Sequence, residues 1–115
     1  MRNDLLIHID SPEPKVLHLA LNNISNFIVG CGDEAWNVVV IANGPAIKQF
    51  TKANLEEGVK VTALSKQGVK FHLCNNAKMA FSIDEADMLE GCEIIPAGMN
   101  ALVAWQNQGY AYVKP

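Results

Sequence analysis

The chain contains the apolar run Trp36-Asn37-Val38-Val39-Val40-Ile41-Ala42, followed directly by the turn sequence Asn43-Gly44-Pro45. Apolar residues that continue along a strand, instead of alternating with polar ones, are typical of a strand buried on both faces of a parallel sheet. The run therefore predicts the central strand of such a sheet. The Asn-Gly-Pro sequence predicts a turn into a short helix at the carboxyl end of that strand.

Further short apolar runs lie on both sides of the central run, and segments with helical spacing separate them. The predicted strands cover residues 5–9, 36–42, 69–74, 93–95 and 110–113. Strands that are separated by helices connect by right-handed crossovers, which make them parallel. The order β-α-β-α-β-α-β-α-β therefore predicts an α/β fold with a mainly parallel sheet of about five strands between helices.

A few residues predict where the helices begin and end. Ser11 is expected to cap the first helix, with Pro12 in its first turn. Asn54 and Glu57 have the spacing of a capping box at the start of a later helix. Gly109 is expected to be the C-cap of the last helix, because glycine readily takes a left-handed conformation.

The composition restricts the class of protein. The length of 115 residues suits one domain over residues 1–115, with a net charge of −3 and nine scattered basic residues. This balance favours neither nucleic acid nor an anionic membrane surface as a partner. The first residues lack a signal-peptide pattern, and the apolar segment that follows is too short to cross a bilayer. The sequence therefore predicts a cytoplasmic protein.

The three cysteines are Cys31, Cys74 and Cys92. An odd number of cysteines without a C-x-x-C or another metal-ligand spacing argues against a disulfide framework and against a zinc site. The glycine motifs of dinucleotide and P-loop nucleotide sites do not occur. We therefore expect no metal, no cofactor and at most one chemically active cysteine.

Cys74 is the candidate nucleophile, because it ends the predicted third strand where the pair Asn75-Asn76 starts a helix. A thiol at such a junction lies beside unpaired backbone N–H groups and the positive end of a helix dipole, which favour the thiolate. An inert, packed cysteine is the alternative, since free cysteine is among the most buried residue types.

Other small or polar residues follow the predicted strands at the same edge of the sheet, where α/β proteins bind ligands. They are Asp10, Ser11, Asn43, Gly44, Asn75 and Gly98. Asn43, Gly44 and Asn75 are expected near Cys74, because adjacent parallel strands end on one edge.

The histidines are expected to be structural. His72 lies on the same face of its strand as Cys74, with a Cα separation of about 6.5 Å, which is too long for a firm Cys-His pair. His8, in the first strand, is expected to be a packed or solvated histidine.

Several segments, in order along the chain, carry a resemblance to a known family. They are His8-Ile9-Asp10-Ser11, Leu19-Ala20-Leu21-Asn22-Asn23-Ile24, Val40-Ile41-Ala42-Asn43-Gly44-Pro45, Gly68-Val69-Lys70-Phe71-His72-Leu73-Cys74-Asn75-Asn76, Ile95-Pro96-Ala97-Gly98 and Gln108-Gly109-Tyr110-Ala111-Tyr112-Val113-Lys114-Pro115. Together they resemble the DsrE-like (DsrE/DsrF) family of small sulfur-relay proteins, over nearly the whole chain. The resemblance implies a three-layer α/β/α domain that assembles into trimers or hexamers. It also implies that Cys74, after the third strand, accepts sulfur as a persulfide and passes it on.

Two functions from different classes fit these residues. The first is a sulfurtransferase or sulfur carrier in which Cys74 holds a persulfide, with sulfur donor and acceptor proteins as partners. One cysteine suffices for a carrier, because the transfer needs only a nucleophilic, accessible thiolate. The second is a non-catalytic oligomeric module with a structural cysteine, which binds a small ligand at the strand ends through Ser11, Asn43, Gly44, Asn75 and Gly98.

The composition also predicts self-association. Hydrophobic residues make up 50% of the chain and charged residues 18%, which are the upper and lower margins of ordinary soluble proteins. A domain this small is therefore expected to expose apolar surface that another subunit covers. Composition leaves a monomer open, whereas the family resemblance implies a homotrimer or homohexamer.

Overall fold

Within residues 2–115, which the computed structural model describes, five strands form one sheet. The strands are β1 (Asp4–Ile9), β2 (Asn37–Ala42), β3 (Lys70–Cys74), β4 (Cys92–Ile95) and β5 (Ala111–Val113). Their order across the sheet is β4-β3-β2-β1-β5, and every neighbouring pair is parallel. The predicted parallel sheet is confirmed, with β2 at its centre.

Helices connect successive strands along the described chain. They are α1 (Pro14–Cys31), α2 (Leu55–Gln67), α3 (Asn75–Ala80) and α4 (Gly98–Asn107), with 3-10 helices over Gly44–Phe50 and Glu85–Asp87. This order is the predicted alternation of strands and helices. None of the helices in residues 2–115 combines the length and the apolar character that crossing a bilayer requires.

The central strand β2 packs against helices on both faces of the sheet. On one face, Val38 and Val40 belong to a large core that they share with α1 and α2. On the other face, Val39 and Ile41 pack with Leu102 of α4. Burying each such side chain contributes about 1.5–3 kcal/mol to stability. The continuous apolar run thus serves two cores, and the three-layer α/β/α arrangement is confirmed.

The first helix begins later than Ser11 and Pro12 predict. Glu13 is the N-cap and Pro14 is the first helical residue. The Glu13 N–H donates to the Ser11 hydroxyl at 3.1 Å, so this hydroxyl closes a local turn before the helix. The prediction was wrong because Pro14, and not Pro12, supplies the fixed φ at the start of the helix.

The other predicted helix ends agree more closely with the structure. The Glu57 N–H donates to the Asn54 side chain at 3.4 Å, which caps α2. The reciprocal half of the capping box does not form, because the Glu57 carboxylate lies 3.0 Å from Nδ1 of His18 instead. At the end of α4 the C-cap is Gln108, and Gly109 follows it with a φ of 93°.

The parallel register brings the carboxyl ends of neighbouring strands to one edge of the sheet. Ile9 of β1 is opposite Ala42 of β2, and Cys74 of β3 is opposite Ile95 of β4. Residues that directly follow these strands therefore lie along a single edge, where the candidate site is found.

Candidate active site

Cys74 lies at the carboxyl edge of the sheet beside a cavity. It is 5% exposed, and it borders a space of about 360 Å³ that opens to solvent. Three chain segments line this space, and they contribute Asn43, Gly44, Cys74, Asn76, Ala77, Ala80, Phe81, Ala97, Gly98, Met99 and Asn100. We call this space the thiol cavity.

The sulfur of Cys74 is directed at the start of α4. The backbone N–H of Gly98, the first residue of that helix, donates to Sγ at 3.3 Å. The position of Cys74 before Asn75-Asn76 predicted a favourable dipole from α3, but the N–H that reaches the sulfur belongs to α4, which has ten residues where α3 has six. A helix N-terminus with an N–H that donates to sulfur favours a negative charge on that sulfur.

Gly98 allows this close approach because it has no side chain. A Cβ atom at this position would lie 3.1 Å from Cβ of Asn43, 3.2 Å from Cβ of Cys74 and 3.5 Å from its Sγ. The helix start is therefore wedged between the ends of β2 and β3. A side chain at position 98 would have to displace Asn43 or Cys74 by a few tenths of an ångström.

Asn43 connects the thiol cavity to a buried histidine. Oδ1 of Asn43 lies 2.8 Å from Nε2 of His8, and Nδ1 of His8 lies 2.6 Å from the hydroxyl oxygen of Tyr112. His8 is 7% exposed. His8 is therefore packed and not solvated, which is one of the two alternatives that the sequence predicted. Its contact with Asn43, 35 positions away, was not predicted from any local pattern.

The remaining predicted site residues separate into two groups. Gly44 lines the thiol cavity, with a φ of 56° that glycine adopts without strain. Ser11 and Asn75 do not line it: the Ser11 carbonyl accepts Nε2–H of Gln49 at 2.8 Å, and Nδ2 of Asn75 lies 3.4 Å from Sδ of Met79.

Two asparagines that were not predicted as site residues line the cavity instead. They are Asn76, one position beyond Asn75 on α3, and Asn100 in the first turn of α4. Adjacent helical residues point about 100° apart. The pair Asn75-Asn76 indicated amides at the helix start, but only the helix orientation shows which of the two faces the cavity.

Among residues 2–115, the thiol is the one ionisable side chain that lines the cavity. Its electrostatics therefore come from backbone and amide dipoles. His72 is engaged elsewhere, with its Nε2 3.1 Å from Oε2 of Glu93 and its ring beside Trp105. Burial lowers the pKa of His72, the Glu93 carboxylate opposes this shift, and the Lys70 ammonium adds to it.

The other two cysteines occupy apolar surroundings. Cys31 ends α1 in the large core, and Cys92 begins β4 and packs against that core. Burial raises the pKa of the Cys92 thiol to about 12. All three thiols are free.

Two larger surface grooves share no lining residue with the thiol cavity. One, of about 590 Å³, follows the exposed side of α2, and another, of about 750 Å³, lies between the starts of α1 and α2. Neither is lined by a cysteine. Within residues 2–115 there is also no group of three or more His, Cys, Asp or Glu side chains arranged to hold a metal ion. The chemically distinctive position is therefore the thiol cavity.

Comparisons with known proteins agree with this architecture. The model of the DsrE/DsrF-like family matches residues 16–115, a range that includes Asn43, Cys74 and Gly98. A solved structure of MTH1491 from Methanobacterium thermoautotrophicum, described as a protein of unknown function, is similar, with a TM-score of 0.91 and 27% sequence identity. The similarity covers 98% of this chain and 99% of that one. No curated protein matches the sequence.

Proposed function

The chain belongs to the DsrE/DsrF-like family, and from this premise we propose that it is a cytoplasmic sulfur carrier that holds sulfur as a persulfide on Cys74. The family supports a sulfur-relay role in general terms. The assignment to Cys74 rests on one observation, the Gly98 N–H that donates to Sγ at 3.3 Å beside the thiol cavity.

The transfer needs only thiol chemistry. The Cys74 thiolate attacks the terminal sulfur of a donor persulfide, R–S–SH, so that a new S–S bond forms to Sγ. The donor S–S bond breaks, and its electron pair leaves on the donor sulfur as R–S⁻, which takes a proton from solvent. An acceptor thiolate then attacks the terminal sulfur of Cys74–S–SH, and the electron pair returns to Sγ. No oxidant or reductant is needed, because each step exchanges one S–S bond for another.

The cavity suits a persulfide in both size and polarity. Its volume of about 360 Å³ far exceeds the space that one additional sulfur atom needs. The side chains of Ala77, Phe81 and Met99 form an apolar wall, while Asn43, Asn76 and Asn100 supply amide groups. Apolar walls limit the access of water, and N–H donors stabilise negative charge on sulfur.

Partner surfaces are part of the proposal. Large apolar side chains are exposed on α4 and on the edge strand β5, namely Val103, Tyr112 and Val113, and Met99 is exposed at the mouth of the thiol cavity. Exposed apolar surface of this kind supports assembly into a homotrimer or homohexamer, with sulfur donor and acceptor proteins that reach the cavity. Sedimentation equilibrium tests the assembly: a single species at the 12.5 kDa mass of the monomer would contradict it.

Mass spectrometry tests the sulfur chemistry. The protein is incubated with a low-molecular-weight thiol persulfide, and intact mass and peptide mapping follow. We expect a gain of one sulfur atom located on Cys74, its loss on addition of an acceptor thiol, and no gain in Cys74→Ser. The matched control, Cys92→Ser, removes the other strand cysteine and should retain the gain.

The same experiment separates the two functions. A folded protein that gains no sulfur, or gains it equally on Cys31 and Cys92, would refute the carrier. It would leave the non-catalytic module that binds a small ligand through Asn43, Gly44 and their neighbours.

A further inference from the structure

A chain of side chains leads from the edge strand β5 to the thiol cavity. Tyr112 of β5 contacts Nδ1 of His8 at 2.6 Å, and Nε2 of His8 contacts Oδ1 of Asn43 at 2.8 Å. Asn43 lines the cavity, and Tyr112 is partly exposed on the opposite side of the histidine. Both ring nitrogens of a buried imidazole are thus occupied by named partners.

The geometry of these groups favours one arrangement of their protons. Oδ1 of Asn43 faces Nε2 of His8 and can only accept a hydrogen bond, so the proton lies on Nε2. An imidazole with one N–H then accepts at Nδ1, where the Tyr112 hydroxyl donates, and a phenol is a stronger donor than acceptor. Tyr112 therefore favours the same tautomer as Asn43.

The structure places the Asn43 amide with its oxygen toward His8, and among the described residues no hydrogen-bond partner is found for its Nδ2. A rotated amide would need the His8 proton on Nδ1, and the Tyr112 hydroxyl would then have to accept instead of donate. Tyr112 therefore opposes that rotation. The donor end of Asn43 is therefore the end available to the cavity.

We propose that His8 and Tyr112 are positioning residues, which hold Asn43 so that its Nδ2–H donates to the anionic terminal sulfur of a persulfide on Cys74. This inference rests on the proposed function and names the form of sulfur that the site selects. A persulfide anion gains a hydrogen bond from the amide nitrogen. A rotated amide would present its oxygen and repel the same anion.

Nitrogen NMR of His8 tests the proton positions independently of any sulfur chemistry. We expect the Nε2–H tautomer in the wild-type protein. In Tyr112→Phe, Nδ1 loses its donor, so the Nδ1–H tautomer should appear as a second population. Tyr110→Phe is the matched control, because Tyr110 packs edge-on against Trp105 and lies outside the chain of contacts. A wild-type Nδ1–H tautomer, or an unchanged tautomer in Tyr112→Phe, would overturn the inference.

Persulfide loading of Cys74 tests the consequence for the site. Asn43→Asp keeps an oxygen that accepts from Nε2–H but replaces the donor with a carboxylate oxygen, so loading should slow by about 100-fold. In Tyr112→Phe the Asn43 amide should adopt two orientations, and only one of them directs Nδ2–H into the cavity. Loading should therefore slow by about two-fold or more, in proportion to the fraction of molecules that lose this orientation. Tyr110→Phe should load at the wild-type rate, and thermal unfolding shows which variants remain folded.

The two hypotheses fail in different ways. If the wild-type protein gains no sulfur, the carrier function is wrong, and the tautomer measurement still decides whether His8 and Tyr112 fix the Asn43 amide. If the wild-type protein loads but Tyr112→Phe shifts the tautomer without slowing loading, the positioning role is wrong and the carrier function stands.

Discussion

Cys74 and Cys92 lie on adjacent parallel strands, yet their sulfur atoms have different surroundings. Cys74 ends β3, borders the thiol cavity and accepts the Gly98 N–H. Cys92 begins β4, opposite Phe71, and burial raises its thiol pKa to about 12. The two thiols differ in which end of a strand they occupy. Of the two thiols, Cys74 is the one with a backbone N–H donor and a cavity beside its sulfur.

Two separate features distinguish these thiols. In a parallel sheet the helices start at the carboxyl edge, where their first N–H groups are unpaired, and at that edge the Gly98 N–H donates to the Cys74 sulfur. At the amino edge Cys92 is affected by burial, which alone raises its thiol pKa. A thiolate that forms on Cys74 therefore has a hydrogen-bond donor, whereas one on Cys92 would lose solvation.

The largest expected effect is a difference in alkylation rate between the two thiols. At pH 7 a thiol with a pKa of about 12 is ionised in only about one molecule in 10⁵. We expect iodoacetamide to modify Cys74 about 10³ times faster than Cys92, because the thiolate is the reactive form and Cys74 borders a cavity. Peptide mapping of the time course measures each cysteine, Cys31 included. In denaturant all three should react at similar rates, and equal rates in the folded protein would contradict the comparison.

A second test uses the stability of the protein in alkali. The Cys92 pKa in the folded state is above its unfolded value, so the folded state binds more protons between about pH 9 and 12. The stabilising contribution is present below pH 9 and is lost as the pH rises toward 12, at up to about 1.4 kcal/mol per pH unit. Denaturant unfolding of wild type and Cys92→Ala across this range should show a shallower slope in the variant. Identical slopes would show that Cys92 ionises freely in the folded protein.

The surroundings of Cys74 and Cys92 could be predicted only in part from the sequence. The apolar run at 36–42, the turn at Asn43 and the glycines after the helices are local signals, so the order of elements and the position of Cys74 were predicted. The contacts that complete the site are not local. Gly98 is 24 positions from Cys74, and Tyr112 is 104 positions from His8. Such pairs depend on how helices and edge strands pack, which no pattern within one segment encodes.

Substitution of Gly91, at the amino edge of the sheet, or of Gly98, at the carboxyl edge, changes one edge without changing the other. Gly91 has a φ of 85°, and a Cβ there would lie 2.6 Å from Oγ of Ser65. Gly91→Ala should therefore destabilise the fold by about 2–4 kcal/mol, from backbone strain and overlap, without changing the alkylation rate of Cys74.

Gly98→Ala should have the opposite profile. Residue 98 is helical, so alanine gains about 0.5–1 kcal/mol in helix propensity, which offsets part of the crowding against Asn43 and Cys74. Stability should change by less than about 1 kcal/mol, while displacement of Sγ from the backbone N–H slows alkylation of Cys74. Chemical denaturation and alkylation of the same two variants decide the matter. If alkylation of Cys74 slowed in Gly91→Ala and not in Gly98→Ala, the Gly98 N–H would not be the group that supports the Cys74 thiolate.

The smallest expected effect concerns His72, which lies on β3 opposite Glu93. Its pKa is lowered first by burial, raised by the Glu93 carboxylate and lowered by the Lys70 ammonium. Because the folded-state pKa lies below the unfolded one, the unfolded state binds more protons, and this contribution to stability is present above about pH 6.5 and lost as the pH falls. NMR titration should show the His72 pKa falling further in Glu93→Gln and rising in Lys70→Met.

The same titration shows whether His72 belongs to the thiol site. The structure pairs this histidine with Glu93 at 3.1 Å, while the Cys74 sulfur accepts from the Gly98 backbone. Cys74→Ser should therefore leave the His72 titration unchanged, because no thiolate contributes to it. If the His72 pKa fell when Cys74 was replaced, a negative sulfur would have been stabilising the imidazolium, and Cys74 would owe its ionisation to a histidine partner. An unchanged titration would show that His72 is not the partner of the Cys74 thiol and would leave the Gly98 N–H as the group in contact with its sulfur.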